Sequence, residues 1–90
     1  MKALRFTSAY KKDVKRCRRR GYDLDLLHGV VDLLATPRML PAAHRDHPLK
    51  GVWKGRRECH VQPDWLLVYE ATEHELVLVR TGTHADLFQT

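Results

Sequence analysis

The sequence predicts an α+β fold: one twisted, mainly antiparallel sheet packed by a helical hairpin, in the order β-α-α-β-β-β. Three observations predict it. Two stretches near the N-terminus repeat their apolar residues at helical spacing. The C-terminal half instead holds short runs that alternate, or are wholly apolar, between turn residues, as strands do. Ninety residues suffice for one core and no second one, so 1–90 reads as a single domain.

Leu4-Arg5-Phe6-Thr7 alternates apolar and polar residues and reads as the first strand. Ser8 is the expected N-cap of a helix in which Tyr10, Val14 and Cys17 recur at helical spacing, and Gly21 supplies its stop. Its apolar face is narrow. Lys11, Lys12, Lys15, Arg16, Arg18, Arg19 and Arg20 cover the rest, with Asp13 the only acid among them. Such a face is either solvated, its last cations suiting the helix dipole, or a docking surface for RNA or an acidic partner. Asp23 caps a second helix, where Leu24, Leu27, Val31 and Leu34 trace one face and Leu26, Val30 and Leu33 widen it. This is the more buried helix and the main cover of the sheet. Thr36-Pro37 ends it.

From Arg38 to Gly51 the chain shows no periodicity and reads as a loop carrying His44, Asp46, His47 and Lys50. Val52 to Val61 alternates. Lys54, Arg56, Glu58 and His60 fall on one face of the expected strand, with Trp53, Gly55, Arg57, Cys59 and Val61 on the other. A face of four ionisable groups is either solvent-exposed or the floor of a polar site. After the turn Gln62-Pro63-Asp64, the apolar run Trp65-Leu66-Leu67-Val68-Tyr69 suits a central strand covered on both sides. Glu70 to Glu75 turns the chain into a last strand, Leu76 to Thr81, and the tail after Gly82 is expected to close as a short turn of helix.

Composition narrows the classes. Hydrophobic content of 43% and charged content of 30% exclude wholesale disorder. No apolar run has membrane-spanning length, and Met1 to Phe6 lacks the apolar core of a signal peptide, so no membrane partner and a cytoplasmic location are expected. Cys17 and Cys59 form no metal or disulfide pattern and are expected as thiols. A net charge of +5 points to a polyanionic partner, nucleic acid or acidic protein.

Two runs carry candidate chemistry: Arg45 to Trp65, and Arg80 to Phe88. Metal-independent RNA cleavage needs a base for the 2′-hydroxyl proton, an acid for the leaving 5′-oxygen, and cations for the charge on phosphorus. His47, His60, Asp64 and His84 are the acid–base candidates. Lys50, Lys54, Arg56, Arg57 and Arg80 are the clamp candidates, and Phe88 is placed to stack a base. Each has a plainer reading. A loop histidine such as His44 or His74 reads as surface; Trp53, Trp65 and Tyr69 read as core; Leu87 and Phe88 also suit a staple holding the tail to the sheet. His44, His47, His60, Asp64 and His84 are potential zinc ligands, but no HExxH or paired CxxC spacing supports a metal, and none is expected, nor any other cofactor.

Asp46-His47-Pro48-Leu49-Lys50-Gly51, Trp53-Lys54-Gly55, His60, Pro63-Asp64-Trp65, and Arg80 to Ala85 with Leu87-Phe88 resemble the YafQ-type branch of the RelE/ParE toxin superfamily, over essentially the whole chain. The resemblance implies a compact, RelE-like and microbial-ribonuclease-like domain, and the toxin of a bacterial type II toxin–antitoxin pair. Such toxins are mRNA interferases that cut messenger RNA in the ribosomal A site, and a DinJ-like antitoxin neutralises them. Carried over by position, His47, His60, Asp64 and His84 are the acid–base set, with His84 the general acid, Phe88 helping to position RNA, and His47 or Asp64 the base. Glu58 stands where the family's better-known member has aspartate, an accessory carboxylate one methylene longer. The implied partners are the antitoxin and the ribosome with its message, the basic helix Lys11 to Arg20 being a candidate contact for ribosomal RNA; operator DNA is reached only through the antitoxin.

A rival of another class keeps the same fold. In the ParE-like branch the target is gyrase, and a catalytically silent toxin acts only as co-repressor with its antitoxin. A pure binding module has no need of His47, His60, Asp64 and His84 together.

Overall fold

A computed structural model describes residues 1–36, 41 and 44–88. The chain runs β1 (Ala3–Phe6), α1 (Ser8–Arg19), α2 (Leu24–Ala35), β2 (His47–Pro48), a 3₁₀ turn (Gly51–Trp53), β3 (Arg57–Gln62), β4 (Trp65–Ala71), β5 (Glu75–Gly82) and α3 (His84–Phe88). The five strands form one sheet in the order β1-β5-β4-β3-β2. β1 lies parallel to β5, and every other pairing is antiparallel. The expected α+β order holds, with β2 and the 3₁₀ turn added to it. Among the described residues no helix is long and apolar enough to cross a membrane.

Local signals explain the helices. Thr7, one residue before the expected Ser8, caps α1: its Oγ1 accepts the Tyr10 N–H at 3.0 Å and donates to the Val79 carbonyl at 2.7 Å, which ties the start of α1 to β5. Gly21, at φ 82°, takes the left-handed turn after the Arg20 C-cap. Asp23 caps α2 as expected, its carboxylate accepting the Asp25 N–H at 3.0 Å. Thr36 is the C-cap of α2, and Pro37, expected to end it, lies outside the described residues, as does part of the expected loop from Arg38.

The strand expected from Val52 begins only at Arg57. Gly51 (φ 66°) and Gly55 (φ 93°) both sit in the left-handed region, which breaks an extended run and folds Gly51–Trp53 into the 3₁₀ turn. Lys54 and Arg56 therefore leave the strand face predicted for them. Glu58 and His60 alone share that face, and β2 adds His47 directly opposite Glu58.

The core has two layers. Tyr10, Cys17, Leu27, Val30, Val31 and Ala35 from the helices pack on Cys59, Val61, Trp65, Leu67, Tyr69, Leu76 and Leu78. On the opposite face a smaller cluster joins Leu66, Val68, Val79 and Leu87, with Leu49, Trp53 and Phe88 partly covering it. β4 is thus buried on both sides, as its unbroken apolar run requires. Trp53, expected as core, sits at the margin of this second cluster, edge-on to Phe88 with ring centroids 5.5 Å apart.

Candidate active site

Glu58 and His60 point from β3 away from the helical layer, because their neighbours Cys59 and Val61 are in the helix-facing core. Glu58 is only 5% exposed, and its Oε2 lies 2.8 Å from Nε2 of His47 and 3.9 Å from Nε2 of His60. Burying a carboxylate is costly without a polar partner, and His47 supplies one at hydrogen-bond distance. The Nδ1 of His60 faces the Pro63 carbonyl at 3.2 Å. With the proton there, Nε2 keeps its lone pair. His47 differs: Nδ1 faces the Pro48 carbonyl at 3.1 Å while Nε2 faces Glu58, so both ring nitrogens meet acceptors.

The third histidine arrives from the other end of the chain. His84 opens α3, and its Nδ1 lies 2.6 Å from Oδ1 of Asp64, which also accepts the His84 backbone N–H at 3.0 Å. These two bonds, the backbone one foremost, hold the Asp64 carboxyl below the usual carboxylate range. Asp64 thereby fixes the ring with Nε2 outward. The His60 and His84 rings then stand 5.8 Å apart at 61°.

α3 is locked in place by reciprocal bonds at its start: Thr83 N–H to Asp86 Oδ2 at 3.0 Å, and Asp86 N–H to Thr83 Oγ1 at 3.1 Å. Arg20 of α1 grips the same carboxylate at 2.6 and 3.1 Å. Chiefly through Arg20, and then the Thr83 N–H and Arg16, the Asp86 carboxyl is held well below its ordinary value.

The family described as "Bacterial toxin of type II toxin-antitoxin system, YafQ" matches residues 2–89. The chain belongs to the YafQ toxin family. The mRNA interferase toxin YafQ of Escherichia coli K12 is 45% identical over 86 residues, which is 94% of each chain. The E. coli DinJ–YafQ toxin–antitoxin complex holds a chain 44% identical with a TM-score of 0.89, covering 97% of both. A metal-bound toxin from Helicobacter pylori is 46% identical with a TM-score of 0.91, covering 98% of this chain and all of that one.

In this YafQ-family fold, His47, His60, Asp64, His84 and Glu58 converge, while the expected clamp divides. Lys50 and Lys54 are exposed and make no ion pair among the described residues. Arg56 faces Glu70 at 3.3 Å, and Arg57 donates to Asp46 at 2.9 Å. Arg80 donates twice to buried Asp13, at 2.6 and 3.1 Å. Those arginines hold the scaffold. Phe88 rests against Trp53.

Three contributors stood outside the expected acid–base and clamp sets. Asp46 accepts from Arg57 and from the buried Tyr69 hydroxyl at 2.6 Å, anchoring the segment that carries His47. Asp13, the lone acid of the basic helix, also accepts the Thr81 N–H at 3.1 Å. His44, read as surface, is half-buried, and its Nδ1 lies 2.7 Å from the His60 carbonyl. A single acid amid seven cations was a usable sign for Asp13, and Asp46 opens the motif that carries the family likeness; His44 had drawn notice only as a surface residue or potential zinc ligand.

Proposed function

We propose that this chain, acting as one domain in the bacterial cytoplasm, is the toxin of a type II toxin–antitoxin pair and a ribosome-dependent endoribonuclease that cleaves messenger RNA in the A site. The observation that carries the reading is the facing pair His60 and His84, 5.8 Å apart, with carbonyl and carboxylate partners that aim their Nε2 atoms at the space around them. Two imidazoles so placed suit proton transfer to and from one phosphodiester. The E. coli relative's name, mRNA interferase toxin, supports the same reading, and its complex with DinJ supports a DinJ-like antitoxin as partner.

His60 is the base: its Nε2 takes the 2′-hydroxyl proton as the oxygen attacks the adjacent phosphorus, and Glu58 beside it stabilises the imidazolium that forms. Protonated His84 gives its Nε2 proton to the departing 5′-oxygen, and Asp64 stabilises the ring in that state. The products are a 2′,3′-cyclic phosphate and a 5′-hydroxyl. This revises the expectation that His47 or Asp64 is the base. Asp64 is engaged in orienting His84, and His47 has an acceptor on each nitrogen, so neither nitrogen is free to take the 2′-hydroxyl proton. Lys50 and Lys54 supply mobile positive charge, and Phe88 with Trp53 offers an aromatic margin for a base.

A metal is the second reading. His47, Glu58 and His60 offer ligand atoms all within 4.8 Å of one another, a donor set that fits zinc or copper, and the H. pylori relative is metal-bound. His47, Glu58 and His60 would hold the ion, which would supply Lewis acidity but would compete for the lone pair that His60 needs as base.

Brief induction of wild type and His84→Ala, followed by mapping of message ends, tests the proposal. Codon-phased cuts with 5′-hydroxyl ends, lost in the variant, are expected. Cuts bearing 5′-phosphates overturn the mechanism, and growth arrest with intact messages favours the ParE-like binding reading.

A further inference from the structure

His60 borders a cavity that the mechanism above leaves unused. It measures about 390 Å³, and His44, Arg45, His60, Val61, Gln62 and Pro63 line it. Small-ligand sites span roughly 300–1,000 Å³. Its position follows from the end of the sheet. β2 pairs with β3 only at Arg57 and Glu58, so among the described residues no strand lies beside β3 from Cys59 onward. A register shift between His60 and Gln62 bends that open edge, and the chain turns at Pro63 and Asp64. His44 crosses to the edge at one point, where its Nδ1 lies 2.7 Å from the His60 carbonyl. A carbonyl only accepts, so Nδ1 carries the proton and Nε2 keeps a lone pair. Arg45, the next residue, is the one non-glycine with positive φ among the described residues, at 49°. That conformation crowds the Cβ of an L residue. Its neighbours enforce it: His44 is held on β3, and Asp46 accepts from Arg57 at 2.9 Å and from the Tyr69 hydroxyl at 2.6 Å. Arg45 is exposed and forms no ion pair among the described residues. Strain held in place by its surroundings is a mark of ligand sites.

We infer that this cavity is a nucleotide subsite, which takes the message nucleotide beside the scissile phosphate, with Arg45 on its phosphate and Gln62 and His44 on its base edge. The inference deepens the ribonuclease reading above and rests on it. Contiguity selects the occupant: His60, the base of that mechanism, is itself one of the lining residues, so RNA held at His60 continues past Arg45 and Gln62. The lining selects the same chemistry. Arg45 offers a cation for a phosphate, the Gln62 amide both donates and accepts, and His44 Nε2 accepts. Among the described residues no carboxylate lines the cavity to repel a phosphate. The phosphate contact would fix the register of the message, and the base-edge contacts would make the cut depend on sequence. Arg45 thus joins Lys50 and Lys54 as a cation not engaged by the scaffold, whereas Arg57 and Arg80 are taken.

The test is cleavage of messages on programmed ribosomes by wild type, Arg45→Gly and Gln62→Ala, with urea unfolding of each protein. Glycine removes the guanidinium and also relieves the left-handed strain. Arg45→Gly is therefore expected to lose roughly tenfold in kcat/KM while its urea midpoint does not fall. A residue that served only the fold could not give that combination. Cleavage that merely follows a lowered midpoint overturns the inference, and so does unchanged kcat/KM. Gln62 is exposed, so its variant reads the base contact without a folding defect. Gln62→Ala is expected to redistribute the cuts among codons, and cuts in wild-type proportions overturn the inference. Wild type that cuts no message on the ribosome sinks the ribonuclease reading itself, a result distinct from any difference between the variants.

Discussion

One oxygen of Asp64 accepts both the His84 backbone N–H, at 3.0 Å, and the His84 ring Nδ1–H, at 2.6 Å. The carboxylate therefore sets both where α3 begins and which ring nitrogen is free. In the proposed mechanism Asp64 acts through His84. Single-turnover cleavage of an A-site message should fall roughly 10²–10⁴-fold in His84→Ala and by less in Asp64→Ala. The double variant should be no worse than His84→Ala, as for residues acting as a unit. Multiplying defects would give Asp64 a role of its own.

The Arg20–Asp86 pair should make stability pH-dependent. Folding depresses the Asp86 carboxyl, chiefly through Arg20. A depressed carboxyl contributes stability that is fully present above its unfolded value, about 3.9, and is lost as pH falls towards its lower folded value. Urea unfolding of wild type and Asp86→Asn should therefore differ at pH 6, and the gap should begin to close only as the pH falls below about 4. A gap that stays constant with pH would mean that the charge is not what matters.

Gly82→Ala should destabilise the fold by about 1–3 kcal/mol, as for other residues forced into sparsely populated backbone regions. Its φ is 155°, and an added Cβ would meet Asp86 Oδ2 at 2.9 Å and Arg16 Nη2 at 3.1 Å. Because the clash falls on the anchor of α3, cleavage should drop further than the unfolded fraction accounts for. Chemical denaturation with parallel activity measurements separates the two.

Zinc or copper(II) should slow cleavage by competing for the His60 lone pair, and chelation should restore the rate. Glu58→Gln, which weakens the carboxylate ligand, should need more metal for the same inhibition. Acceleration by the ion in wild type would instead make the metal part of the reaction.

Cys59 is fully buried, and burial, with Asp46 and Glu58 nearby, pushes its thiol up to about 12. Cys17 is also fully buried, and burial likewise raises its thiol. Neither should react with a thiol reagent at pH 8 until the chain unfolds. Rapid labelling of native protein would point to local opening of β3 or α1.

Periodicity made the helical hairpin, the buried β4 and the last strand legible, because each buries a continuous face and the pattern of burial is written along the chain. Thr7 and the late start of β3 were not, since both depend on backbone angles that neighbours allow in more than one way. For the site, residue type and family likeness named the histidines, Asp64 and Glu58. What they could not name was use. Arg57 and Arg80 are as cationic as Lys50 and Lys54, and only the placement of Asp46 and Asp13 reveals which cations are taken.

The parallel pairing of β1 with β5 joins Ala3 to Glu75 and Phe6 to Leu78. The first strand made during synthesis thus waits for the last before it has a partner, and His84 follows later still. A chain released early lacks the staple of its sheet and its proposed proton donor together. A protein whose proposed target is the machinery that makes it carries, in its strand order, a delay on its own arming.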